Sequence, residues 1–165
     1  HSHLFERCFT RSVTLMEGLE KAGVQDVRGV WHHEAGSGRT FVVVAIKQRF
    51  YGHATQAGLM ASQLNPATYC GRYTVVVDED IEAHNLHDVV WAMGTRSDPE
   101  KDIIHLNQCQ SSRLDPMHGE DTLYNTRVVI NACRPYERID TFPAVAQTSP
   151  ELAEEVRKKF PAVFE

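Results

Sequence analysis

Residues 73–96, YTVVVDEDIEAHNLHDVVWAMGTR, decide the fold class. Tyr73-Thr74-Val75-Val76-Val77 is a β-branched run, apolar enough to be buried on both faces of a sheet. Asp78-Glu79-Asp80 follows as an acidic turn. Asn85 is a good N-cap, with Asp88 at the third helical position in a loose capping-box arrangement. Leu86, Val89, Val90 and Met93 then recur at i, i+3, i+4 and i+7, one apolar helical face. A buried strand that feeds a helix through a polar turn is half of an α/β unit.

Working outward, the upstream chain supplies more of the same. Phe41 to Ile46 is a second apolar strand, and Gly52 breaks the chain before a helix over 53–64. That helix carries Ala54, Ala57, Gly58 and Ala61, small residues that permit close packing on a sheet. Residues 26–32 read as a strand, joined to the next by a hairpin-like connection containing Gly36 and Gly38. Residues 5–22 read as a helix with Phe5, Phe9, Val13, Met16 and Leu19 on one face and Gly23 at its end. Downstream, Ser97-Asp98-Pro99 closes the central helix. A short strand over 103–106, a loop-like stretch over 107–122 and an apolar strand over 127–131 follow. Ser149-Pro150 starts a final helix over 151–160 with Leu152, Val156 and Phe160 in one stripe. The alternation predicts an α/β fold: a mixed, mainly parallel sheet of about five strands with helices on its faces. The Phe41 and Tyr73 strands should be adjacent or nearly so, joined by a right-handed crossover.

Composition limits the function classes. The 165 residues carry a formal charge of −5 and no basic stripe, which argues against nucleic acid. No apolar run approaches the roughly 20 residues of a membrane span. Cys8, Cys70, Cys109 and Cys133 form no C-x-x-C pair and read as reduced thiols of a cytoplasmic protein. His32 and His33 are neighbours, so on a strand they point to opposite faces, and no histidine spacing fits zinc. His1-Ser2-His3 is either native chain or the remnant of a tag.

The best local site is Ile46 to His53, IKQRFYGH. Lys47 ends a buried strand, and a glycine and a helix N-terminus follow. Free backbone N–H groups favour an anion there, and Lys47 adds a charge. The plain alternative is a lysine emerging into water at a strand end. Asp78-Glu79-Asp80 could hold Mg²⁺, but reads better as a turn whose carboxylates accept backbone N–H bonds. Tyr69-Cys70-Gly71, before the central strand, reads as ordinary loop.

The runs KAGVQDVRGVW, VVVAIKQRFYGHATQAG, VVVDEDIE, DVVWAMGTR, SSRLDP and INACRPYER, in that order, resemble the C-terminal domain of the UbiD family of prenylated-FMN-dependent decarboxylases. The likeness spans about residues 4–143. It implies a UbiD-like C-terminal α/β domain over 1–143 and a tail over 144–165 whose helix could make a subunit contact. It implies that Lys47 reaches the phosphate of prenylated FMN. It also implies that Phe50, Tyr51, Tyr69 and Gly71 line the substrate pocket. The family's catalytic arginine and two acidic residues, and its Mn/Mg and K sites, belong to the N-terminal domain. Glu17-Gly18-Leu19-Glu20 sits inside a helical pattern and is not the acidic motif. The implied activity is non-oxidative decarboxylation of an aromatic, heteroaromatic or α,β-unsaturated acid by the intact enzyme, with this chain inactive alone. The implied partners are the N-terminal cofactor domain, further copies in a dimer or hexamer, and a flavin prenyltransferase that supplies the cofactor. The alternative is a non-catalytic oligomerisation module with no cofactor contact.

Overall fold

The computed structural model describes residues 2–119, 121–146 and 148–163. His1 lies outside the described residues. One five-stranded sheet organises the chain, in the order β1-β2-β3-β5-β4. β1 is Val27–His32, β2 Phe41–Ile46, β3 Tyr73–Asp78, β4 Ile103–Gln110 and β5 Tyr124–Ala132. The three central strands, β2, β3 and β5, are parallel. Both edge strands run antiparallel to their neighbours. The Phe41 and Tyr73 strands are adjacent, with Val43 opposite Val75 and Ile46 opposite Asp78.

The apolar β2 and β3 runs are central because both of their faces are covered. On one face α1 (Ser2–Lys21) and α2 (His53–Gln63) bury Leu15, Leu19, Ala57 and Ala61 against Val42, Val44, Ile46 and Val76. On the other, α3 (Leu86–Arg96) buries Val89 and Ala92 against Val43, Val75, Val77 and Ile130. The small residues of α2 matter at one point above all. A Cβ on Gly58 would stand 2.3 Å from Val129 Cγ1 and 3.0 Å from Val76 Cγ2, so only glycine lets the helix lie this close. The Asn85 cap of α3 is made: its side chain accepts Asp88 N–H at 3.4 Å and donates to the Asp88 carboxylate at 2.8 Å.

Three expectations change. The buried face of α1 is Cys8, Ser12, Leu15 and Leu19, while Phe5, Phe9 and Val13 are exposed. The helix turns Ser12 inward because its hydroxyl accepts the His32 backbone N–H at 2.8 Å. Phe5 and Phe9 stack on each other instead, and Phe5 meets Trp31 on the edge strand. β4 runs past Leu106 to Gln110 through an irregularity at Gln108, whose φ is +58°. β5 begins at Tyr124 rather than 127, because Asn125 and Arg127 are buried polar residues. Arg127 donates to the carbonyls of Ser62 and Gln110 and to Asn125 Oδ1, tying the end of α2 to β4 and β5.

α4 (Pro150–Lys159) starts where Ser149 Oγ accepts Leu152 N–H at 3.2 Å. Its stripe is left partly open: Leu152 and Phe160 are half exposed and Val156 a third. His32 and His33 do point to opposite faces. His32 Nδ1 faces Ser12 of α1, and His33 Nε2 faces the Ala83 carbonyl ahead of α3.

Candidate functional site

β2, β3 and β5 all end at one edge of the sheet, and a set of linked charged side chains meets there. In open α/β sheets this carboxyl edge is where ligands sit. Two groups of charges occupy it, separated by the step from Asp78 to Glu79.

The first group is buried. The Asp78 carboxylate is 2% exposed and accepts four hydrogen bonds. Gln48 Nε2 donates at 2.8 Å, Arg134 donates through its backbone N–H at 2.7 Å and Nε at 3.0 Å, and Arg96 Nη1 donates at 3.3 Å. Arg96, itself 2% exposed, also forks onto both Asp80 oxygens at 2.9 and 2.7 Å. That bidentate bond holds the Asp80 carboxyl below the usual range and raises Arg96. Beside them, burial pushes the Cys133 thiol well above its ordinary value, which leaves it uncharged and unreactive. These carboxylates are consumed by arginines and a backbone amide. The acidic turn is a staple between β3, α3 and the segment after β5.

The second group is half exposed. Lys47 Nζ lies 3.3 Å from Glu79 Oε1, with 42% of the lysine side chain exposed. The lysine's backbone N–H donates to the Asp26 carbonyl, which extends the β1–β2 pairing by one residue and fixes its place at the edge. Asp26, Arg28 and Arg49 complete this group. Arg49 is paired with Asp26.

Gly52, at φ +82°, is the N-cap of α2 and offers no side-chain cap. Its helix end opens, with Ala54, Thr55 and Tyr51, into a cavity of about 540 Å³ also lined by Gln48, Arg96 and Arg134. Lys47 does not line that cavity. The expected pairing of the lysine with the helix N-terminus is thus corrected. The Lys47 side chain turns to Glu79, on the α3 side of β2, while α2 packs on the opposite face.

Phe50 and Tyr51 share the carboxyl edge with Lys47. Phe50 stacks on His53 at 4.5 Å and is 38% exposed; Tyr51 meets Tyr136 edge-on at 4.9 Å and is 70% exposed. Fully buried His53 bridges the Arg49 backbone N–H and the Gln25 carbonyl, and burial lowers its pKa. Tyr69 and Gly71 do not join this site. They precede β3, and its six residues put them roughly 16 Å or more away along the strand. There Arg11 lies over the Tyr69 ring, and Gly71 is a tight turn where a Cβ would stand 2.4 Å from the Ala67 carbonyl. They belong to the amino edge, while Phe50 and Tyr51 follow β2 at the carboxyl edge.

Sequence reasoning missed Asp26, Arg28, Arg96 and Arg134, and gave Gln48 no role although it lies within the Ile46 to His53 stretch. These residues come from four separate segments of the chain, which meet through the strand order. The one available signal was that Arg28, Lys47 and Glu79 each stand at or beside a predicted strand end.

Residues 6–132 match the family described as the 3-octaprenyl-4-hydroxybenzoate carboxy-lyase C-terminal domain. Among curated relatives, a phenolic acid decarboxylase of Sedimentibacter hydroxybenzoicus is 29% identical over 126 residues, 75% of this chain and 25% of the relative. An anhydromevalonate phosphate decarboxylase of Aeropyrum pernix is 29% identical over 108 residues, 66% of this chain and 24% of the relative. Among solved structures, the UbiD-class enzyme HmfF from Pelotomaculum thermopropionicum, in complex with FMN, superposes with a TM-score of 0.78 at 25% identity. That superposition covers 92% of this chain and 33% of HmfF. The chain thus spans about a quarter of these curated relatives and a third of the solved enzyme. By the reach of the family match and the shared fold, the chain belongs to the UbiD decarboxylase family as its C-terminal domain.

Proposed function

We propose that this chain is the part of a prenylated-FMN-dependent decarboxylase that completes the cofactor and substrate site from outside the cofactor domain. The carrying observation is Lys47: a half-exposed ammonium held at the carboxyl edge of a UbiD C-terminal domain. The donor set fits a flavin phosphate. A cation at a strand end, bridged by one carboxylate, is a place where a second anion can be received. The cofactor, when bound, supplies the electron sink for loss of CO₂. Lys47 holds its phosphate, and Phe50 and Tyr51, which expose apolar surface at the same edge, close part of the pocket. Tyr69 and Gly71, at the far edge, are left out of the wall. The substrate is an aromatic, heteroaromatic or α,β-unsaturated carboxylic acid. The catalytic arginine and acids, with the Mn/Mg and K ions, are supplied by an N-terminal domain, and a flavin prenyltransferase supplies the cofactor.

Assembly is the second half of the reading. The chain takes part in a homo-oligomer, a dimer or hexamer, in the cytoplasm. The exposed Leu152, Val156 and Phe160 stripe of α4 supports this, since it leaves apolar surface open to a partner. One preparation tests both halves. The full-length protein loaded with prenylated FMN should release CO₂ from a panel of such acids, and this chain alone should release none. Turnover by the chain alone overturns the reading. Removing residues 149–165 should lower the sedimenting mass; an unchanged mass leaves only the cofactor half.

A further inference from the structure

Three neighbouring strands deliver three charged side chains to one place on the carboxyl edge. Arg28 stands on β1, Lys47 follows β2 and Glu79 follows β3. Glu79 spans the two cations, one oxygen to each. Its Oε1 lies 3.3 Å from Lys47 Nζ and its Oε2 lies 3.4 Å from Arg28 Nε. Asp26 spans the next gap, 2.9 Å from Arg28 and 2.5 Å from Arg49. The hydrogen bond from Arg49 holds the Asp26 carboxyl below its usual range. Three cations against two carboxylates leave the chain of pairs with one net positive charge.

We infer that Arg28 is a second phosphate-binding cation beside Lys47, and that Glu79 occupies the pair until the phosphate monoester of a flavin nucleotide displaces it. The inference rests on the reading that Lys47 meets the cofactor phosphate. The bridging carboxylate is the informative feature. It shows that two oxygens of one anion reach both cations at once, and a phosphate monoester presents the same pair of oxygens with more charge. A guanidinium fork suits that group better than a carboxylate at a single Nε contact. The side chains of Arg28 and Lys47 are 45% and 42% exposed, so an incoming anion reaches both. Ion pairs this exposed are weak, so Glu79 can be displaced. Asp78, one residue earlier, cannot be displaced in this way, since its carboxylate is buried under four donors.

The test compares FMN with riboflavin, which lacks the phosphate, on the full-length decarboxylase. Dissociation constants are read by flavin fluorescence. Arg28→Gln should weaken FMN by roughly five- to tenfold and leave riboflavin unchanged. Retained riboflavin binding shows that the variant is folded. Glu79→Gln should tighten FMN and again leave riboflavin unchanged. An FMN-to-riboflavin ratio that Arg28→Gln does not move overturns the Arg28 assignment. FMN weakened by Glu79→Gln overturns the displacement, making Glu79 a support for the cations instead. Lys47→Ala separates this inference from its premise. If Lys47→Ala lowers the ratio and Arg28→Gln does not, only Arg28 is removed. If neither moves it, the phosphate contact falls as well.

Discussion

Asp78 and Glu79 are consecutive residues with opposite fates. Asp78 is the last residue of β3, and its carboxylate is enclosed by Gln48, Arg96 and Arg134. Glu79 has left the strand, and its carboxylate bridges two half-exposed cations. The alternation of a strand end puts one acid into the protein and the next into the open edge. The difference separates charge that serves the fold from charge left free to meet a ligand. A buried carboxylate under four donors cannot be withdrawn without stranding its arginines. A half-exposed one contributes little to stability and is exchangeable.

The largest effect expected from this contrast is on stability. Asp78→Ala removes the acceptor of two arginines, a glutamine and a backbone N–H, and should cost roughly 3–5 kcal/mol. Glu79→Ala, one residue on, should cost less than about 0.5 kcal/mol. Urea unfolding of the two variants beside the wild type measures both. Equal costs would erase the distinction.

A smaller effect sharpens the contrast with a group on the other side of the molecule. His32 is buried against α1, and burial lowers its pKa from 6.5 to about 3. The unfolded chain takes up a proton below about 6.5 while the folded chain refuses it until about pH 3. Stability is therefore complete above that window and lost as pH falls through it. Between pH 7 and pH 5 the His32 part of the loss should be about 2 kcal/mol, and His33 and His53, whose pKa values burial also lowers, add to it. The check is the urea-unfolding free energy at the two pH values, with His32→Gln as the control that removes the His32 part of the slope. An unchanged slope in that variant would assign the loss to other groups.

The central unit was legible because its signals agree: a β-branched strand, a capped helix start and one apolar helical face all point to the same element. The adjacency of β2 and β3 followed from their shared apolar character. The apolar face read for α1 is right in its second half, where Met16 and Leu19 meet the core, and not in its first, where Phe5, Phe9 and Val13 are exposed. Ser12 wins the inward position through a hydrogen bond that hydrophobic periodicity does not register. β5 was cut short at its start for the same reason, since Asn125 and Arg127 are polar yet buried. Lys47 was singled out as a candidate by its place at a strand end. Its partners were not, because Arg28 and Glu79 are brought to it by strand order alone. Tyr69 and Gly71 were grouped with Lys47 although β3 carries the chain from one edge of the sheet to the other between them.

An effect on stability as small as that of Glu79 belongs to Lys47, and it carries the central claim. Lys47→Ala should shift the unfolding free energy by less than about 0.5 kcal/mol, as for any half-exposed side chain. In the full-length protein it should raise the dissociation constant for FMN by on the order of ten- to a hundredfold, the worth of one charge-assisted hydrogen bond. The direct measurement is the flavin-to-protein ratio of purified wild type and Lys47→Ala, taken beside their melting curves. Matching melting curves with flavin lost from the variant are the predicted result. Matching flavin content in both proteins would contradict the account and return Lys47 to the role of a solvated strand end.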